Sequence, residues 1–323
     1  MYGKAAVLKN LLIFGTASFL IFMVGCKNAP TDPGAIEATT NTQAMLKLAE
    51  SDSAVSSFQP NYDEEGAMGV LTSDLGLNIY PIKVGQKLRL VSKNFTYTTS
   101  GDTAYGKYTQ TFEGVLFIAA SSSPDSSRRD TVIQKPFTSV VTRNIIFVRT
   151  GNTNLPVMNW KIVAVSLPQG GTAISNVNIS QVTVFLASGD TLVVNNPNDY
   201  YMYRENEGHK NKYKWWKDIP EINEGSPVTI QVKVNSAYAD TDFVTLTHGA
   251  DFRGYHREKM KFNLISSTPS ANGYTKIYQQ TFTTEHSEGY FHAVINAYSK
   301  QEINDNTSPV EISSWGVPYY VKW

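Results

Sequence analysis

Cysteine is almost absent from this chain of 323 residues, which contains one, Cys26. A single cysteine cannot form an intrachain disulfide, so the folded part must be held together by burial of its core. The chain is long enough to form such a core. About 290 residues follow an N-terminal apolar segment, and this length suggests two domains.

The sequence also lacks an excess of positive charge. Lys and Arg together number 28, as do Asp and Glu. Proteins that bind nucleic acid usually carry a basic surface that neutralises phosphates. The charge balance therefore argues against a nucleic-acid partner.

Catalytic and metal-binding patterns are missing as well. Residues 27–208 contain no histidine, and the sequence has no P-loop, G-x-S-x-G, H-E-x-x-H or dinucleotide motif. His286 and His292 have acidic neighbours, but their spacing matches no metal motif, so we expect histidines on the surface or packed between strands. The sequence predicts no metal, no cofactor and no enzymatic activity.

The apolar run Leu11–Val24 spans roughly 15 residues, fewer than the ~20 that a membrane-spanning helix needs. Lys4 and Lys9 precede it, as in a signal peptide. The following Met23-Val24-Gly25-Cys26 resembles the bacterial lipobox. The resemblance implies a lipoprotein signal peptide over residues 1–25 and a lipid on Cys26. A plain signal peptide or a short membrane anchor is the alternative.

The residues after Cys26 predict where the protein resides. Two or more acyl chains give stable membrane attachment. Lys27, by resemblance to sorted bacterial lipoproteins, favours the outer membrane and leaves the leaflet open. Residues 26–35 are small, polar and rich in Pro and Gly, which predicts a tether.

One helix is predicted after the tether. Met45, Leu48 and Val55 recur at helical spacing, and Thr39–Thr42 offers N-capping residues. Asp52 interrupts the apolar stripe. After residue 80 the apolar period becomes two, which predicts antiparallel strands joined by hairpin-type loops.

The predicted fold class is mainly β, in two domains. Residues 36–169 form a curved antiparallel α+β sheet with an N-terminal helix, and residues 172–323 form a β-sandwich. The boundary is Pro168-Gln169-Gly170-Gly171, a cluster typical of turns. Residues 199–220 form an insertion without periodicity.

Three segments of the first domain carry a resemblance: "GDTAYGKYTQTFEG" (101–114), "VTRNIIFVRTG" (141–151) and "NWKIVAVSL" (159–167). They resemble the nuclear-transport-factor-two-like, or ketosteroid-isomerase-like, cone fold over residues 36–168. This resemblance implies a cone-shaped cavity in which Glu113 or Asp102 would be a general base. A generic α+β or lipocalin-like sheet is the alternative.

The second domain resembles an immunoglobulin-like sandwich without a disulfide. Gly289-Tyr290 opens an alternating strand as in the tyrosine corner, and His292 stands where a cysteine is expected. Thr247-His248-Gly249 and the closing Trp315–Tyr319 resemble uncharacterised Bacteroidota-type secreted lipoproteins, a family that implies no known activity.

The insertion supplies the candidate binding residues. Tyr, Trp and Arg dominate binding hot spots, and exposed rings can also stack on sugars. Alternatively, the rings pack back over the sandwich or the domain junction. The candidates are Tyr201, Tyr203, Arg204, Tyr213, Trp215 and Trp216.

Together these features predict a non-enzymatic binding or assembly module, lipid-anchored in the bacterial envelope, with a protein or glycan partner. A surface polysaccharide-binding lipoprotein that uses the aromatics of residues 200–217 is one alternative. An enzyme with a cone-shaped cavity in residues 36–168 is the other.

Overall fold

The computed structural model describes residues 38–52, 55, 80–123, 130–204, 216–217, 219–250, 258–284 and 288–322. The chain divides into residues 1–38 and a compact unit, Thr39–Trp323. The predicted signal peptide, Cys26 and the tether at 26–35 lie outside the described residues.

The compact unit is mostly β-structure, as predicted, with a curled antiparallel sheet and one short N-terminal helix. Two 3₁₀ turns, Pro156–Asn159 and Pro197–Asp199, lie in connections. The helices and strands are α1 (Asn41–Ser51), β1 (Tyr80–Ser100), β2 (Thr103–Ser121), β3 (Thr131–Arg149), β4 (Trp160–Ser166), β5 (Gln169–Gly171), β6 (Val177–Phe185), β7 (Thr191–Val194), β8 (Tyr201–Arg204), β9 (Trp216–Lys217), β10 (Glu221–Asn223), β11 (Pro227–Ser236), β12 (Phe243–Ala250), β13 (Glu258–Lys261), β14 (Asn263–Ser270), β15 (Gly273–Thr283), β16 (Gly289–Tyr298), α2 (Lys300–Asn304) and β17 (Ile312–Lys322).

The predicted helix α1 begins at a capping box. The Thr40 side chain accepts a hydrogen bond from the Gln43 main chain, and the Gln43 side chain caps Thr40 in return. Met45 and Ala49 are fully buried on its inner side. Asp52 is the C-terminal cap, so the residue that interrupts the apolar stripe stands where the helix ends.

Within the described residues, the larger sheet contains twelve strands. Its main order is β13-β12-β16-β17-β5-β3-β4-β8-β9, with β1 and β2 attached through β3 and β10 attached to β17. β10 and β17 run parallel, and the other described pairs are antiparallel. The smaller sheet has the order β14-β15-β11-β6-β7.

The larger sheet curls, so that β1 at one edge approaches β12 and β13 at another edge. Val84 and Leu116 of the long strands share a buried cluster with Phe243 and Tyr298, which lie near the other end of the strand order. Lys259 Nζ of β13 donates to the Val84 carbonyl oxygen of β1 at 3.3 Å. Burial of these apolar side chains from both ends stabilises the curl.

The opposite face of the C-terminal strands packs on the smaller sheet and forms a sandwich-like core. Trp315 and Val317 of β17 share this core with Ile179 and Val232 of the smaller sheet. The main-chain N–H of Ile179 donates to Ser313 Oγ at 3.1 Å. Because the chain has a single cysteine, this core forms without an intrachain disulfide.

The predicted boundary at residues 168–171 lies inside the larger sheet. Gly170 pairs with Val141 of β3 on one side and Ser314 of β17 on the other. One hydrophobic core also contains Met45 and Trp160 from one side of the boundary and Trp315 from the other. The two predicted segments are therefore joined by main-chain hydrogen bonds and a shared core.

A buried lysine adds a third connection across the boundary. Lys135 of β3 is 6% exposed. Its Nζ donates to the carbonyl oxygens of Glu302 at 2.6 Å and Ser308 at 3.1 Å, and it lies 3.2 Å from Asp305 Oδ1. These contacts hold α2 and the segment that follows it against the N-terminal part of β3.

Both glycines of β5 lie where a side chain would not fit. The φ of Gly171 is +147°, and a Cβ there would lie 2.1 Å from the Ile312 carbonyl oxygen. A Cβ on Gly170 would lie 2.8 Å from Val141 Cγ2. The sequence signal of a turn therefore marks a place where three main chains approach one another closely.

We expect Gly171→Ala to lower the free energy of unfolding by about 2–5 kcal/mol, because strain and a backbone clash combine. Gly189→Ala is the matched control, since Gly189 also has positive φ (+90°) but nothing within 4 Å of its Cβ position. It should lose about 1–2 kcal/mol. Urea denaturation measures both, and equal losses would contradict the role of β5.

Candidate functional site

β8 is a strand within the stretch where the sequence predicts no regular structure. It pairs with β4, so Tyr203 is opposite Ala164 and Met202 is opposite Val165. Successive side chains of a strand point to opposite faces. Tyr201 and Tyr203 therefore share one face, and Met202 and Arg204 share the other.

Met202 and Arg204 face the helix side. Met202 is fully buried in the main core. Arg204 Nη2 donates to Asp52 Oδ2, whose side chain is 2% exposed. Asp52 Oδ1 accepts from the Val55 main-chain N–H at 3.2 Å. The predicted binding residue Arg204 is thus engaged in an ion pair with the cap of α1.

Tyr201 and Tyr203 lie on the outer face of the sheet. Their ring centroids are 6.4 Å apart with an interplanar angle of 42°. Tyr203 is 45% exposed, and Tyr201 is half-buried. Both predicted binding residues therefore present at least part of a ring to solvent.

The register of the sheet brings a third tyrosine to this face. Tyr105 of β2 is opposite Ile146, which is opposite Ala164, which is opposite Tyr203. Cross-strand partners share a face. Tyr105 is 50% exposed. Three strand spacings separate Tyr105 from Tyr203, or ~14 Å. We call Tyr105, Tyr201 and Tyr203 the tyrosine face.

Polar groups surround Tyr201. Its phenol is hydrogen-bonded to the Asn144 side chain, and burial raises the pKa of Tyr201, with the nearby Asp199 and Tyr203 adding to the rise. Asn144 Nδ2 also donates to the Asn198 carbonyl oxygen at 3.0 Å. The Tyr201 hydroxyl is therefore neutral at physiological pH and is held in place by its neighbours.

Two exposed lysines flank the tyrosine face. Lys107 lies two positions from Tyr105 on β2, opposite Asn144. Lys161 of β4 is opposite Val148, two positions from Ile146 on β3. Because positions two apart on a strand share a face, both lysines lie on the side of the tyrosines. Both are exposed.

The remaining predicted binding residues are placed only in part. Tyr213 and Trp215 lie outside the described residues. For Trp216 the structure describes the backbone, which pairs with Arg204 in β9. Tyr105 is a site residue that the sequence reasoning missed. Its signal is the alternation Ala104-Tyr105-Gly106-Lys107, but only the strand register places it near Tyr203.

A separate cleft of about 350 Å³ lies between the β6–β7 hairpin and β10. Tyr200 is on its wall, and Asp190 is on the hairpin side. Lys322 Nζ and Glu221 Oε2 are 3.0 Å apart at its edge. This ion pair joins an exposed lysine to a partly buried glutamate, and Asp190 Oδ2 accepts a hydrogen bond from the Ser188 hydroxyl.

The two acids named for the enzyme alternative occupy exposed positions. Glu113 Oε2 lies 2.5 Å from Arg89 Nη2 across β1 and β2, with both side chains more than half exposed. Asp102 is in the β1–β2 turn, where its carbonyl oxygen accepts from the Arg149 main-chain N–H at 2.7 Å. Glu113 lies on the wall of an open groove of about 500 Å³ together with Arg89 and Phe137. Asp102 is exposed in its turn.

The two most deeply buried carboxyl groups that the structure describes beyond residue 168 belong to Asp242 and Glu302. Burial raises the pKa of Asp242, whose Oδ2 is 2.9 Å from the Nζ of the fully buried Lys276. Burial also raises the pKa of Glu302 well above its usual value, and its Oε2 accepts from the Glu311 main-chain N–H. Both groups thus take part in contacts that stabilise the fold.

His248 and His292 are packed between strands. They are 2% and 6% exposed, and the ring centroids of His248 and Phe282 are 4.3 Å apart with an interplanar angle of 36°. Within the described ranges, no group of three or more His, Cys, Asp or Glu side chains is arranged to hold a metal ion. His209, His256 and His286 lie outside those ranges.

Comparisons with known proteins add little. No family model and no curated protein matches the chain. Among solved structures it is similar to that described as "Structure of Astrotactin-2, a conserved vertebrate-specific and perforin-like membrane protein involved in neuronal development". The similarity has 7% identity and a TM-score of 0.21, covering 79% of this chain and 69% of that one. Such a score supports no inference about fold or function.

No helix in the described part of the chain has the length and hydropathy needed to cross a membrane.

The opposite faces of β8 predict different effects of neighbouring substitutions. Arg204→Ala removes the cation beside the buried Asp52 carboxylate and should cost about 1–3 kcal/mol of stability. Tyr203→Ala should change stability by no more than about 0.5 kcal/mol, because the ring is exposed. Urea denaturation of both variants checks this, and equal losses would contradict the assignment of faces.

Proposed function

We propose that this protein is a lipid-anchored binding module of the bacterial envelope, attached to the outer membrane through Cys26. The tyrosine face is the observation that carries the binding role. Large aromatic side chains held on strands lose little conformational freedom when they bind, and they dominate binding hot spots. The role proposed here is non-enzymatic.

The anchor is supported by the sequence. The lipobox-like Met23–Cys26 follows a short apolar run, and the segment 26–35 would reach at most ~36 Å when extended. The partner is an envelope protein or a glycan, and the absence of a basic excess argues against nucleic acid.

The anchor can be tested on Cys26, because it is the sole cysteine. Cys26→Ser should abolish acylation and release the protein from membranes or leave it unprocessed. Globomycin should make the wild-type precursor accumulate. Ser18→Ala, which leaves the lipobox intact, is the control and should be processed normally. Intact mass spectrometry and membrane fractionation provide the readouts, and a mature protein with unmodified Cys26 would refute the anchor.

A further inference from the structure

We propose that the tyrosine face binds an acidic polysaccharide. This inference rests on the proposed function and names the ligand class of the same surface. It depends on the arrangement of Tyr105, Tyr201 and Tyr203, on the amide and hydroxyl groups beside them, and on the two lysines that flank them.

The rings suit the faces of sugars. A pyranose presents C–H groups on its faces and hydroxyls at its edges, so it contacts an aromatic ring and hydrogen-bond donors at once. Tyr105 and Tyr203 are both about half exposed and lie ~14 Å apart along the sheet. This span exceeds one sugar ring, so a polymer contacts both tyrosines where a monosaccharide contacts one.

The position of Tyr201 supports the same ligand. It lies beside Tyr203, and its hydroxyl is fixed by Asn144. Burial restricts its motion before any ligand arrives, which lowers the entropic cost of binding. Its neutral hydroxyl can exchange hydrogen bonds with sugar hydroxyls.

The charges favour an acidic sugar over a neutral one. Lys107 and Lys161 lie on either side of the row that joins Tyr105 to Tyr203, and both are exposed. The nearby negative charge is that of Asp199, which contributes to the raised pKa of Tyr201. Among the residues that the structure describes around the tyrosines, these two cations outnumber the one anion, although Lys+Arg and Asp+Glu are equal in number over the whole chain. Carboxylate or sulfate groups on a polymer complement it.

Other classes of ligand fit less well. A lipid surface with anionic headgroups would use the lysines but would favour aliphatic side chains or Trp over amides and tyrosine hydroxyls for insertion. A protein partner usually anchors a side chain in a desolvated pocket. The tyrosine face instead extends across the surfaces of four adjacent strands, β2, β3, β4 and β8.

The test uses the lipidated full-length protein in detergent and isothermal titration calorimetry. The acidic probes are oligogalacturonate, oligoalginate and heparin fragments, and the neutral probe is a malto-oligosaccharide of equal length. At least one acidic probe should bind about tenfold more tightly than the neutral one, and its affinity should fall as salt rises. Tyr105→Ala and Tyr203→Ala should each weaken binding about tenfold.

The lysines are tested by Lys107→Gln combined with Lys161→Gln. This variant should lose the preference for the acidic probe and most of the salt dependence, while keeping any binding of the neutral probe. The controls are Phe185→Ala, an aromatic that is 37% exposed on the other sheet, and Lys47→Gln, an exposed lysine of α1. Both controls should bind as the wild type does, and thermal melts should show every variant folded.

Four results would overturn the inference. Acidic probes could bind with no loss in the tyrosine variants, which would show attraction by charge alone. Phosphatidylglycerol vesicles could bind where every oligosaccharide fails, which would assign the face to lipid. Crosslinking in envelopes could capture a protein that Tyr203→Ala releases, with no glycan bound, which would remove the glycan and keep the binding module. If the protein is lipidated on Cys26 but neither oligosaccharide, vesicle nor protein binds this face, the binding role is refuted and the anchor remains.

Discussion

The pairing of β5 with both β3 and β17 is the constraint on which the larger sheet depends. This strand has three residues, yet it joins the long strands β1–β3 to the C-terminal strands that cover the smaller sheet. Side chains at Gly170 or Gly171 would occupy the space of Val141 and the Ile312 main chain. Once β5 is paired on both edges, the curl of the sheet brings Val84 against Phe243 and Tyr298 in one cluster. In the described part of the chain, β5 thus joins the two groups of strands into one sheet.

The alternation of faces along β8 explains how one segment serves the core and the surface. Met202 and Arg204 contact the core and the end of α1, while Tyr201 and Tyr203 remain outside. The inward contacts fix the backbone that presents the outward rings. Because β4 and β3 lie between β8 and β2, the distance from Tyr203 to Tyr105 is set by main-chain hydrogen bonds. The tyrosine face is therefore as rigid as the sheet beneath it.

Local patterns predicted much of the fold and less of the site. The helix with its Thr cap and the half-buried strand at Val228–Val234 were readable, because spacing reports which face is buried. The Pro-Gln-Gly-Gly cluster predicted a boundary, since turns and closely approached strands both select glycine. Tyr105 could not be associated with Tyr203, because they are 98 positions apart and pair through two intervening strands. The ion pair of Asp52 could not be predicted for the same reason, since its partner Arg204 is 152 residues away.

Helix α1 is tied to three different strands at its two ends. Asn41 Oδ1 accepts from Trp160 Nε1 of β4 at 3.1 Å, Glu50 Oε1 lies 2.6 Å from Lys93 Nζ of β1, and Asp52 pairs with Arg204 of β8. A mechanical pull on the chain that precedes this helix would be shared among three strands of one sheet. Loss of any one of these three contacts would leave the helix attached to two other strands of the sheet.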